Sequence, residues 1–298
     1  MIKAILETRR PRLVLVAAAV IAITLAAAIF ALHHGSSGSE PAGQGQNLKA
    51  YKKMIISDYT TSMDALNATF NASNQCDTVQ NTGCPEALTA MVPHWQMWLN
   101  DLNSYQTPSM YVVIDGQLRR HLTEKIAELN AAVAFQRERN ESGFSLAVET
   151  SSYEITWFGV TVAAVEGTYA KVAGSYHDAV NLAKQALDAC INSAPASRKA
   201  GCDALSHETC TGAAAKNCAH DVENAETQLQ TFVVALLQDP APSALAKQGA
   251  QLQAHLVQAD IALLAIADAL LRGDSAKVAA GQRSYKAAIT AADADASP

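Results

Sequence analysis

Residues 251–271 read QLQAHLVQADIALLAIADALL, and the spacing of their apolar side chains decides the fold class. Apolar residues recur there at alternating intervals of four and three, at Leu252, Leu256, Ala259, Leu263, Ile266 and Leu270. Because an α-helix has about 3.6 residues per turn, this spacing places those side chains along one face of a helix. An unbroken apolar stripe is typical of helices that pack against other helices.

The same spacing occurs in most of the chain after residue 46, with Pro and Gly residues between the periodic segments. It predicts helices over 47–73, 86–104, 109–139, 144–192, 217–238, 243–272 and 275–293. The stretch Ile155–Val165 is apolar on all sides, and we interpret it as the central buried turns of the long helix 144–192. Gly159, Gly167 and Gly174 are positions where that helix can bend.

Residues 13–32, LVLVAAAVIAITLAAAIFAL, form an apolar segment in which Thr24 is the only polar residue. About 20 apolar helical residues are needed to cross the hydrocarbon core of a bilayer. Lys and Arg residues precede the segment, at positions 3, 9, 10 and 12, and the next one after it is Lys49. The excess of positive charge predicts a cytoplasmic N-terminus. A cleaved signal peptide is the alternative, but its apolar region is usually shorter, about 7–15 residues.

These features give a domain plan for a single-pass protein of the cell membrane. Residues 1–12 are predicted to be a cytoplasmic tail, and 13–32 a transmembrane signal anchor. Residues 33–46 form a Gly/Ser-rich flexible linker, and 47–298 an extracytoplasmic helical domain. The predicted fold is therefore all-α: a transmembrane helix followed by a multi-helix domain that resembles a four-helix bundle with disulfide-stapled loops.

The charge of the chain argues against nucleic acid as a partner. The formal net charge is −6, and the predicted tail holds four of the 22 basic residues but only one of the 28 acidic residues. The remainder is therefore more acidic than the whole chain, and such a surface repels nucleic acid.

The chain has an even number of cysteines, as is typical of disulfide-bonded exported proteins: Cys76, Cys84, Cys190, Cys202, Cys210 and Cys218. Proximity in sequence favours a Cys76–Cys84 bond. The other four lie in a Cys-rich excursion at 190–218. They pair either as Cys190–Cys202 with Cys210–Cys218, or in a nested arrangement of Cys190–Cys218 with Cys202–Cys210. Their spacing is not that of a zinc site, although His207 and His220 lie among them.

Met91, His94 and Met97 are the weak metal candidates in the sequence, because thioether and imidazole groups suit copper. Pro93 is expected to break the helix between them, and a Met and aromatic stripe is more often packed in a core. The sequence therefore identifies no metal site and implies no cofactor.

The carboxylates and remaining histidines are less informative. Glu124 and Glu128 share a helix face that we interpret as solvated. No Glu stands three residues before a His, as the Glu-x-x-His motif of di-iron bundles requires. His121 and His255 lie beside apolar stripes and are expected at the boundary of the core, with partly hydrated rings.

No catalytic motif is present, and we expect the chain not to be an enzyme. The sequence favours a membrane-anchored extracytoplasmic helical domain that binds an unidentified protein or small molecule. The alternative is a helical bundle in the cell envelope that binds a metal ion or haem.

Overall fold

The computed structural model describes residues 44–73, 83–170, 173–192, 210 and 215–296. Every regular element within these ranges is a helix, which confirms the predicted all-α class. The predicted tail and transmembrane anchor lie outside the described residues. The first described helix begins at Gln44, inside the predicted linker.

The described helices, in chain order, are α1 (Gln44–Ser73), α2 (Cys84–Ser104), α3 (Val112–Arg137), α4 (Glu141–Glu166), α5 (Tyr176–Asn192), α6 (Ala215–Gln238), α7 (Ala246–Leu271) and α8 (Ser275–Asp295). Single turns of 3-10 helix, Ser109–Tyr111 and Ser243–Leu245, precede α3 and α7. Asp274 caps α8 by accepting a hydrogen bond from the Lys277 N–H at 3.0 Å.

The prediction of one helix over 144–192 is wrong, because the chain forms two helices there. Gly167 ends α4 with a backbone φ of +91°, a left-handed conformation that glycine adopts without steric cost. The N–H groups of Gly167, Thr168 and Tyr169 all converge on the carbonyl of Ala163. Ser175 then starts α5, since its hydroxyl accepts a hydrogen bond from the Asp178 N–H. The stretch Ile155–Val165 is helical, as predicted, but it forms the last turns of α4.

The buried apolar side chains form two clusters. The first draws on α1 to α4, and its largest fully buried members are Trp95, Trp98, Trp157 and Tyr51. The second draws mainly on α5 to α8 and is built largely from leucine and alanine. The two groups of helices meet where α3 and α4 contact α6 and α7. This junction positions the site described below.

Among the described residues, one helical stretch is long and apolar enough to cross a membrane, Ser243–Leu271. It lies in the C-terminal half and not at the N-terminus, and 61% of its most apolar window is buried inside the protein. A buried core helix has the same composition, so this finding does not identify a membrane span. The membrane topology that residues 13–32 indicate stays a prediction, because those residues lie outside the described part of the chain.

One disulfide joins two described residues, Cys210 and Cys218, whose Cα atoms are 5.7 Å apart. This bond is incompatible with the nested arrangement of the four C-terminal cysteines. Cys84 is also disulfide-bonded. Cys76 and Cys202 lie outside the described residues, so their pairing stays a prediction.

Candidate metal centre

Four helices each place one ionisable side chain in a common buried region. These side chains are His121 of α3, Glu154 of α4, Glu226 of α6 and Asp260 of α7. Their exposed fractions are 0%, 2%, 4% and 0%. Such groups are rarely buried fully unless they are paired or bind an ion. We call these four residues the acidic core.

The imidazole of His121 lies between two carboxylates. Its Nδ1 is 2.7 Å from Oε2 of Glu154, and its Nε2 is 3.2 Å from Oδ1 of Asp260. The indole of Trp157 stacks on the ring, with 3.7 Å between ring centroids. Burial opposes protonation of His121, but Glu154 and Asp260 outweigh it and raise the pKa of the imidazole well above its usual value.

His121, Glu154 and Glu226 form the part of the acidic core that is suited to a metal ion. One ligand atom from each lies within 4.8 Å of the other two. Bonds from nitrogen or oxygen to a transition metal are about 2.0–2.2 Å long, so ligand atoms around one ion are about 3–4 Å apart. Small side-chain movements therefore suffice to close the three groups on an ion. Oε1 of Glu226 is buried and has no hydrogen-bond partner, so it is available as a ligand.

A second polar layer adjoins the acidic core. The ammonium of Lys125 donates hydrogen bonds to the backbone carbonyl of Ser151 and to its hydroxyl, and it lies 5.3 Å from the centre of the Trp95 ring. Glu128 is 1% exposed, and its Oε2 is buried without a hydrogen-bond partner.

Carboxylates outnumber cations in these two layers. Burial raises the pKa of both Glu128 and Glu226 well above the usual value, and the nearby charge of Glu154 adds to the effect. The ionised forms of these acids are therefore unfavourable in the protein alone. Either protons or a bound cation must compensate their charge.

Glu124 connects the acidic core with the surface. It lies one helical turn after His121 on α3, and its Oε1 is buried without a hydrogen-bond partner. Burial raises its pKa to about 7, with further contributions from the charges of Asp268 and Glu154. Asp268 is partly exposed and forms an ion pair of 2.7 Å with Arg272.

The structure does not bring Met91, His94 and Met97 to one place. Met91 is 1% exposed and packs in the first apolar cluster, whereas Met97 is 38% exposed on another face of α2. Helix α2 also continues through Pro93, contrary to the expected break. The three side chains therefore do not form a ligand set.

Two sequence predictions about α3 are wrong. His121 is fully buried and not at the boundary of the core, because α4 and α7 both pack against α3 beside it. Glu128 is also buried, so it does not belong to a solvated face. By contrast, the side chain of His255 is 38% exposed and pairs with Asp295, in agreement with its predicted boundary position.

The sequence did contain a signal for this site. Glu154, Glu226 and Asp260 each lie inside or at the edge of an otherwise apolar helical stripe, where a charged residue needs a buried partner. The Glu-x-x-His motif does not identify this site, because that motif places two ligands on one helix. Here each ligand comes from a different helix, at distant positions in the chain.

Comparisons with known protein families, with characterised proteins and with solved structures found no match for this chain. Function is therefore inferred from the geometry of the acidic core.

Proposed function

We propose that this protein binds one divalent transition-metal ion in its helical core, with His121, Glu154 and Glu226 as ligands. The observation that carries the proposal is the convergence of these three buried groups within 4.8 Å. The unpartnered Oε1 of Glu226 supports it, because a buried carboxylate oxygen with no donor nearby is a costly feature that a cation relieves.

The ligand set indicates the class of metal. One imidazole and two carboxylates offer nitrogen and oxygen donors without sulfur, a set that suits Zn²⁺, Mn²⁺ or Fe²⁺. We do not extend the proposal to haem. Both ring nitrogens of His121 face carboxylates, and Trp157 covers the ring, so no edge of the imidazole is open to a porphyrin iron.

The metal proposal fits the membrane-anchored, extracytoplasmic domain predicted from the sequence. In that plan α3, α4, α6 and α7 form a four-helix-bundle-like unit around the acidic core, and the ion is the bound ligand. Support comes from the apolar segment 13–32 and from the disulfide Cys210–Cys218. A site without thiolates also avoids oxidation to disulfides in an oxidising compartment.

Metal titration of the full chain in detergent tests the proposal. The protein is stripped with a chelator and then titrated with Zn²⁺, Mn²⁺ and Fe²⁺ by calorimetry. We expect one ion per chain for at least one metal. Glu226→Gln should weaken binding at least tenfold, because it removes an anionic ligand from the site.

Glu138→Gln is the matched control, since Glu138 is an exposed residue at the end of α3. It should bind metal like the parent. Absence of stoichiometric binding of all three metals would overturn the proposal, as would equal affinity in the Glu226 and Glu138 variants.

A further inference from the structure

We infer that Asp260 is a positioning residue that holds His121 in the tautomer whose Nδ1 faces the metal ion. This inference rests on the proposed function and adds which nitrogen binds and which residue selects it. The structure places two different carboxylates at the two nitrogens of one buried ring.

The ring geometry separates the metal side from the positioning side. Glu154, one of the three ligands, lies 2.7 Å from Nδ1 of His121. Asp260 lies 3.2 Å from Nε2, at the other edge of the ring. The two nitrogen lone pairs of an imidazole point in divergent directions, so one ion cannot use both. An ion bound with Glu154 and Glu226 must therefore take Nδ1.

Asp260 is already fixed by a second hydrogen bond. Its Oδ2 accepts a hydrogen bond of 3.1 Å from Nε2 of Gln117, while its Oδ1 faces His121. Both oxygens of this carboxylate thus have partners away from the proposed ion. Gln117 lies one turn before His121 on α3, so the same helix carries the ligand and the group that anchors its positioning residue.

Trp157 adds a further restraint on the ring. Its indole lies nearly parallel to the imidazole, at an interplanar angle of 19° and a centroid distance of 3.7 Å. Rotation of the imidazole out of its plane would collide with the indole. The ring therefore keeps one edge toward Glu154 and the other toward Asp260.

The chemistry of this arrangement follows from proton placement. An ion held by Glu154 on the Nδ1 side displaces the proton of Nδ1, and the one N–H that the neutral imidazole keeps is then at Nε2, where the carboxylate of Asp260 accepts it. The lone pair of Nδ1 then remains free to bind the ion. A carboxylate in this second position also raises the basicity of the bound imidazole, and its loss typically costs about 10–100-fold in metal affinity.

The test combines nuclear magnetic resonance with Zn²⁺ titration of the full chain in detergent micelles. Histidine is labelled with ¹⁵N, and the His121 signals are assigned by their absence in His121→Gln. We expect Nδ1 to show the shift of a zinc-bound nitrogen and Nε2 to carry the proton.

Asp260→Asn should bind Zn²⁺ about 10–100-fold more weakly, since an amide is a poorer acceptor and can also donate to Nε2. Asp268→Asn is the matched control: it makes the same change on α7, at a partly exposed residue paired with Arg272. It should leave the affinity within about threefold of the parent.

Zinc bound through Nε2 would overturn the inference and leave the metal site intact, and so would equal affinities of the Asp260 and Asp268 variants. If Asp260→Asn does not fold, the tautomer observed in the parent protein decides alone. If the parent binds no Zn²⁺, this inference fails, whereas the proposed function fails only if Mn²⁺ and Fe²⁺ do not bind either.

Discussion

Replacing Glu124 with Gln should stabilise the metal-free protein at alkaline pH and have little effect at acidic pH. Glu124 is half-buried beside the acidic core, and its Oε1 has no hydrogen-bond partner. Burial raises its pKa from 4.5 to about 7. Because the folded-state pKa is above the unfolded value, folding favours the protonated form. The stability that protonated Glu124 contributes is fully present below about pH 4.5 and is lost as the pH rises through about 7.

The magnitude follows from the shift. Each unit of pKa difference between folded and unfolded states corresponds to about 1.4 kcal/mol. The rise of the Glu124 pKa from 4.5 to about 7 therefore lowers the free energy of unfolding by roughly 3 kcal/mol at pH 8. Partial solvent access of Glu124 reduces this to about 2–3 kcal/mol. Gln has the same shape without the charge, so Glu124→Gln should recover that free energy at pH 8.

Urea unfolding of the full chain in chelator, at pH 4.5, 6 and 8, measures the effect. The free energy of unfolding of Glu124→Gln should exceed that of the parent by about 2–3 kcal/mol at pH 8, and by under about 0.5 kcal/mol at pH 4.5. Glu138→Gln, at an exposed position, should stay within about 0.5 kcal/mol of the parent throughout. A gain that is the same at all three pH values would refute the electrostatic reasoning, and so would no gain at pH 8.

Three further changes test other parts of the structure by chemical denaturation. Gly167→Ala should destabilise the protein by about 1–2 kcal/mol, because an L-residue is strained at the positive φ of this position; an unchanged midpoint would argue against the left-handed end of α4. Lys125→Met should cost about 3–5 kcal/mol at pH 6, which is below the value of about 8 to which burial lowers the pKa of Lys125, because it leaves nearby buried carboxylates without their cation; a neutral effect would mean that these acids are protonated there. Selective loss of the Cys210–Cys218 bond, by a double change to Ser, should cost about 2–3 kcal/mol for a loop of this length; an unchanged free energy of unfolding would show that the loop is already ordered without it.

Much of the helical structure could be predicted from the sequence because apolar spacing is a local property. The stripe from Leu252 to Leu270 specifies both that α7 is a helix and which of its faces is buried. The end of α4 at Gly167 was harder to predict. The residues around it continue the helical spacing, and only the left-handed backbone and its converging hydrogen bonds show that the helix stops.

The acidic core could not be predicted in the same way, because it depends on contacts between distant segments. His121 lies at the edge of the stripe of its own helix, which taken alone indicates a boundary position. It is buried because α7 lies beside α3 and brings Asp260 to its Nε2, 139 residues away in the chain. No pattern within α3 contains that information.

The acidic core lies where the two groups of helices meet, and this position has a consequence for how the protein folds. Each group of helices can bury its own apolar side chains by hydrophobic contacts that tolerate small changes in alignment. The junction tolerates much less, since a shift of one helical turn would leave Glu154 or Asp260 buried opposite apolar groups. The acidic core therefore fixes the register in which the two groups of helices pack together. Its hydrogen bonds are expected to form late in folding, after both apolar clusters have closed.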